Sequence, residues 1–233
     1  MSQLLSMVKW EFILESRYKI IHLSLLSIIL YYLSLLAMPA MNTDYFLTVF
    51  LFFDPVLIGI MFLGALVLFE KNENTLQALN VTPMETRNYF LSKIIALTTL
   101  SIVSALLFLF LVYGFDFHYG YLLSGIILTS VFLILLGFLL VSRCHSINEY
   151  LLMMMFSFVI LFLPPMLHVS GLYKNDLFYL WPSQASFILF KGVFTPVDVS
   201  EAVYAVLYLI LWIVVCYYLS KKAYYTHIIM EGG

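Results

Sequence analysis

Residues 69–97 read FEKNENTLQALNVTPMETRNYFLSKIIAL, a polar interruption between two long apolar runs. The flanks of this stretch decide the fold. About 20 mostly apolar residues cross roughly 30 Å of hydrocarbon as a helix, and the runs on both sides are that long. Working outward, six segments qualify as spans: 20–38, 45–69, 93–114, 121–141, 149–168 and 201–219. The chain of 233 residues is 64% hydrophobic and 10% charged, against roughly half and a quarter for soluble domains. With a mean hydropathy of +1.03, it reads as one all-α integral membrane domain, residues 1–233. A formal net charge of -2 and scattered basic residues give no footprint for nucleic acid.

Lys and Arg near the span ends set the orientation. Lys9, Arg17, Lys19, Lys71, Arg87, Lys93, Arg143, Lys221 and Lys222 fall on one side, and Lys174 and Lys191 on the other, nine against two. The expectation is a multi-pass protein of a cell membrane, a bacterial plasma membrane, with both termini cytoplasmic. The first residues mix charges through their apolar positions, unlike a cleavable signal. Within residues 1–19, Leu4, Leu5, Val8, Phe12 and Ile13 recur at near-helical spacing with Lys9, Glu15, Ser16 and Arg17 between them, which predicts an interfacial amphipathic helix. The outer segment 169–200 contains LFYLWPSQASFILFKGVF, too apolar for an exposed loop, and predicts short helices packed on the spans with Trp181 and Tyr179 at headgroup level. Pro164 and Pro165 predict a break in span 5. Cys144 and Cys216 abut predicted cytoplasmic span ends, where a reduced pair is expected.

Within the opening stretch, Thr82, Pro83 and Glu85 make a helix start: a Thr N-cap, Pro at the first helical position, and Glu three residues after the cap. Just upstream, Thr75, Leu76, Leu79 and Val81 alternate with Glu70, Lys71, Glu73 and Gln77, the pattern of a short amphipathic helix. Residues 70–92 therefore predict a rigid cytoplasmic projection made of two helices and a fixed corner.

Glu70 closing a span, Thr75-Leu76, Leu79-x-Val81-Thr82-Pro83, and Tyr89-Phe90-Leu91-x-Lys93 opening the next span together resemble the ABC-2 type permease family. The six-span layout, the N-terminal helix and the apolar outer segment extend the likeness over nearly the whole chain. Asn74 stands where family members often carry Gly, and Asn also tolerates left-handed backbone. The resemblance implies that residues 70–92 hold the coupling helix of an ABC exporter, with Glu70, Thr75, Leu76, Leu79, Thr82, Pro83 and Glu85 meeting a separate ATPase subunit. It implies ATP and Mg on that partner, a second copy of this chain or a similar permease, and a drug, peptide or lipid-like substrate. No G-x-x-x-x-G-K-[ST] phosphate loop occurs in the sequence, so no cofactor is expected on this chain and it reads as a transporter subunit, not an enzyme.

Asp54 and Pro55 interrupt span 2 and carry two readings. Asp before Pro is a helix-start signal, with the carboxylate as cap. A carboxylate at membrane depth is otherwise a functional site, for a cationic substrate, a proton or gating. His22 and Asp54 lie towards opposite sides of the bilayer, a poor basis for the rival reading as an intramembrane enzyme. A channel or sensor without ATPase coupling is the other rival. Arg143 and Glu149 bracket the turn between spans 4 and 5, where they either pair or meet the ATPase.

Overall fold

A computed structural model describes residues 3–37, 43–73, 86–169 and 175–226. Helix α1, Gln3–Arg17, precedes α2, Ile20–Ala37. The second span starts as α3, Thr43–Val56, passes through one stretch of π-helix, Leu57–Phe62, and ends as α4, Leu63–Asn72. There follow α5 (Thr86–Val112), α6 (Tyr119–Val141), α7 (Ile147–Val169), a 3-10 turn (Asp176–Leu180), α8 (Pro182–Lys191) and α9 (Val199–Tyr224). Six of these segments are long and apolar enough to cross a membrane. Of the projection predicted over residues 70–92, residues 74–85, with most of the amphipathic helix and the start at Thr82, lie outside the described residues.

The span that looked weakest in sequence is the core of the bundle. In span 2, 82% of the most apolar stretch is buried, against 17% for the spans built on α2, α7 and α9. Its helix runs unbroken from Thr43 past Asp54 and Pro55, so the sequence-level start at Pro55 is corrected. Pro55 has no N–H for the carbonyl one turn back and disturbs the ladder, and the wider π turn follows within two residues. Tyr150 of α7 donates its hydroxyl to the Ile60 carbonyl within that turn at 2.5 Å. Gly64 admits the Tyr150 ring, since a Cβ there would stand 2.0 Å from the ring.

Pro164 and Pro165 do not break span 5. Each removes the donor for the carbonyl four residues earlier, those of Ile160 and Leu161. Both carbonyls are supplied from the outer segment: Trp181 donates its indole N–H to Ile160 at 2.7 Å, and Ser183 its hydroxyl to Leu161. Neighbouring groups thus replace the missing backbone donors. The outer segment is tied to α9 in the same currency, with Tyr208 donating to the Leu180 carbonyl at 2.6 Å and Tyr204 to that of Tyr179. Helix α8 is not a cap on the spans but an inserted wedge. Every residue from Pro182 to Phe190 is buried, and the helix contacts α3, α6, α7 and α9. Phe187 stacks on Phe52 with centroids 4.3 Å apart, and Gly125 gives room to Phe190, 3.1 Å from where a Cβ would sit.

Lys19, at φ 59°, supplies the left-handed residue that turns α1 into α2. The face of α1 that packs on α5 is not the predicted apolar stripe. Glu11, Leu14 and Glu15 are buried, while Leu5, Trp10, Phe12 and Ile13 are exposed. At the start of α7, Ser146 Oγ accepts the N–H of Glu149 and Glu149 accepts that of His145 at 2.8 Å. This is a variant of the capping box in which the Glu reaches the residue before the cap, and it gives Glu149 a local role in place of pairing with Arg143. Both cysteines are free and buried.

Candidate functional site

Two polar assemblies sit in this apolar bundle, one at the end bearing α1 and one at mid-span. The first is built from three separate elements. Lys93, near the start of α5, has no exposed surface and pairs with Glu70 of α4 at 2.6 Å and with Glu11 of α1 at 3.0 Å. Tyr89, one turn earlier, donates its hydroxyl to the other Glu70 oxygen at 2.6 Å, and the Lys93 ammonium stands 5.1 Å from the Tyr89 ring centre. Tyr224 of α9 closes the side, its ring 5.4 Å from that of Tyr89. A buried ammonium costs several kcal/mol of desolvation; two carboxylates and a ring face compensate it here.

The contacts around the cluster bind the same elements. Tyr18 donates to Glu73 at 3.1 Å and stacks on Phe69 at 4.9 Å. Lys71 donates to the Cys144 carbonyl at 3.2 Å, and Asn88 to Gln3 at 3.3 Å. The end of α4 and the start of α5 are therefore locked to each other, to α1 and to α9.

Of the residues the sequence nominated for coupling, Glu70 lies at the centre of this base. Thr75, Leu76, Leu79, Thr82, Pro83 and Glu85 fall outside the described residues. Glu11, Glu15 and Tyr224 were missed. A signal existed for the first two: Leu4, Met7, Glu11, Leu14 and Tyr18 recur at spacings of three and four, which sets Glu11 on the packing face with Glu15 beside it. Nothing in sequence points to Tyr224.

Glu15 stands apart from the pairing. It is fully buried, and among the described residues neither carboxylate oxygen has a hydrogen-bond partner. Burial, reinforced by the neighbouring Glu11 charge and opposed by Lys93, pushes its carboxyl from 4.5 up to about 8. Glu11 is also raised, by burial against the pull of Lys93. Between about 4.5 and 8 the folded chain keeps a proton on Glu15 that the unfolded chain has released, so stability falls as pH rises through that window. Glu15→Gln is expected to flatten this part of the melting-temperature profile in detergent; a slope equal to the wild type's would clear Glu15 of responsibility.

The second assembly centres on Asp54, about 16 Å along the helix from Thr43. Its side chain is buried within the helix and accepts the Ser104 hydroxyl of α5 at 2.9 Å on Oδ1. It therefore does not cap a helix start. Among the described residues Oδ2 has no partner and Asp54 forms no ion pair. On another side of span 2 an apolar groove of about 360 Å³ is lined by Phe53, Val56, Ile60, Met61, Leu151, Met154, Met155 and Phe158. It follows the π turn, so the Pro55 disturbance, the groove and Asp54 share one stretch of helix.

A sequence profile of the fluoroquinolones export permease protein family matches residues 2–232. The chain is also 30% identical over 216 residues, 93% of its own length and 90% of theirs, to the fluoroquinolones export permease proteins of two Mycobacterium tuberculosis strains, CDC 1551 / Oshkosh and ATCC 25618 / H37Rv.

Proposed function

The chain belongs to the fluoroquinolones export permease protein family, and from that premise we propose that it is the membrane-spanning subunit of an ABC exporter. ATP is hydrolysed with Mg on a separate ATPase subunit, and residues 70–92 are the segment that this partner grips, through Thr75, Leu76, Leu79, Thr82, Pro83 and Glu85. The observation that carries the reading is the Glu70–Lys93–Glu11 cluster. A push delivered to residues 74–85 meets a buried, ion-paired base and moves α4, α5 and α1 together, whereas a loop on loose ends would absorb it.

Pro55 and the π turn lie further along the same helix and supply a place where span 2 bends while its end stays clamped. Asp54 and Pro55 act there as the gating element. The substrate class is a drug-sized aromatic amphiphile, in keeping with the fluoroquinolones export permease proteins it resembles, and it moves out of the cytoplasm. The exposed apolar faces of α2, α7 and α9, with residues such as Leu30, Phe156 and Leu211, are covered by lipid and by a second copy or a similar permease. The membrane is a bacterial plasma membrane with both termini in the cytoplasm, on the positive-charge count given above.

Affinity purification of the full chain from native membranes, followed by ATPase assay, tests this reading. An ATP-hydrolysing subunit is expected with the wild type and is expected to be lost from a Leu76→Glu, Leu79→Glu variant that still runs as a single species. Purification of the wild type free of any nucleotide-binding partner would sink the exporter reading.

A further inference from the structure

We propose that Asp54, Tyr31 and Ser104 form a binding site at membrane depth for the protonated amine of an amphipathic substrate. The inference rests on the exporter reading and names its substrate class. It stands on three observations. First, Asp54 is a carboxyl group in the interior of the bundle with one oxygen satisfied by Ser104 and the other without a partner among the described residues. An unpaired carboxylate at this depth is costly and calls for a cation, and among the described residues no Lys, Arg or His pairs with it. Second, the Tyr31 hydroxyl of α2 is also buried without a hydrogen-bond partner, and lies within electrostatic reach of Asp54. The two groups do not bond each other, and in the proposed site one nitrogen donates to both oxygens.

Third, the surroundings suit an amine carried on an apolar body better than a hydrated metal ion. Phe50 lies one turn before Asp54 and Phe108 one turn after Ser104. Their rings close on Tyr31, with centroids 4.9 Å apart for Tyr31 and Phe50, 5.9 Å for Tyr31 and Phe108, and 6.0 Å for Phe50 and Phe108. Aromatic faces attract an ammonium and repel none of its alkyl groups. Helix α2 is only sparsely covered by the rest of the protein, so an amine already dissolved in the bilayer reaches Asp54 sideways, beside α2, its body remaining among lipid tails. The site is closed in this conformation, and movement of α2 away from α3 and α5 admits the ligand.

Binding is measured on the full chain in lipid nanodiscs, against empty nanodiscs, with norfloxacin and N-acetylnorfloxacin. The first carries a protonated piperazine amine and the second an uncharged amide at the same position. Norfloxacin is expected to bind more tightly than its acetyl form and to lose about thirtyfold or more in Asp54→Asn, the scale for removing one partner of a desolvated charge pair. Tyr31→Phe is expected to lose about threefold to tenfold, the scale of one hydrogen bond, and Asp54→Glu to retain the preference for the amine. Equal affinity for the two compounds, or an unchanged norfloxacin affinity in monodisperse Asp54→Asn and Tyr31→Phe, overturns the amine site and leaves the exporter reading standing. Binding of neither compound to the wild type overturns both the amine site and the proposed substrate class.

Discussion

Lys93→Met is expected to destabilise the chain by about 3–5 kcal/mol, the range for removing one member of a buried ion pair. The substitution strands Glu70 and Glu11, both almost fully buried, with no ammonium between them. The measurement is thermal unfolding in detergent, read by size-exclusion monodispersity after heating. Neutralising all three members, as Glu11→Gln, Glu70→Gln and Lys93→Met together, removes the stranded charges and should recover most of the loss, because apolar or neutral replacements of whole buried networks are often tolerated. The same triple variant separates structure from mechanism. If it recovers stability but no longer couples ATP hydrolysis to export, the cluster transmits force; if it couples as well as the wild type, the cluster only holds the base together. A single Lys93→Met variant as stable as the wild type would remove the physical argument for a fixed base under residues 74–85.

Gly64→Ala should have the second largest effect. The new methyl carbon would lie 2.0 Å from Tyr150 Cε1 and 2.1 Å from Cζ, distances no real contact shows. The ring has little freedom to retreat, since it is buried and its hydroxyl holds the Ile60 carbonyl in the π turn. Overpacking of this kind costs about 1–3 kcal/mol or more, and here it also dislodges the hydrogen bond that steadies the turn. Tyr150→Phe alone removes only that bond, about 1 kcal/mol. A double-mutant cycle of Gly64→Ala with Tyr150→Ala should be strongly non-additive, because the second change removes the clash made by the first. Gly120→Ala is the control: nothing stands within 4 Å of its Cβ position at the start of α6, and its effect should be small. Additive effects for the Gly64 and Tyr150 pair would show that α4 and α7 shift apart more easily than the packing implies.

The sequence by itself determined the all-helical membrane class, with six helices long and apolar enough to span, and a polar segment between the second and third. These follow from hydrophobic length, which acts locally and is therefore written locally. It named Glu70, which the structure sets in a buried ion-paired cluster. Which span forms the core was a different matter. Apolar residues face lipid and neighbouring helices alike, so composition could not tell that span 2, with its Asp and Pro, is buried on nearly every side while α2, α7 and α9 are not. Prolines were misread for a related reason. Prolines break helices in water, but in this bundle the carbonyls freed by Pro164 and Pro165 are bonded by Trp181 and Ser183. Those donors stand 21 and 22 residues along the chain from the carbonyls they bond, a separation no local pattern records.

The same holds for charge. In the sequence Lys93 counts as one cytoplasmic charge among nine, Glu70 belongs to the coupling segment, and Glu11 carries no reading at all. Only the packing of α1 against α5, with its carboxylates turned inward, makes them one cluster. Asp54 had two meanings in the sequence because a carboxylate before proline caps a helix as readily as it binds a ligand. The tertiary structure removes the cap reading by continuing the helix through both residues and setting Ser104 of another span against the carboxylate, a juxtaposition that hydrophobic patterning alone does not specify.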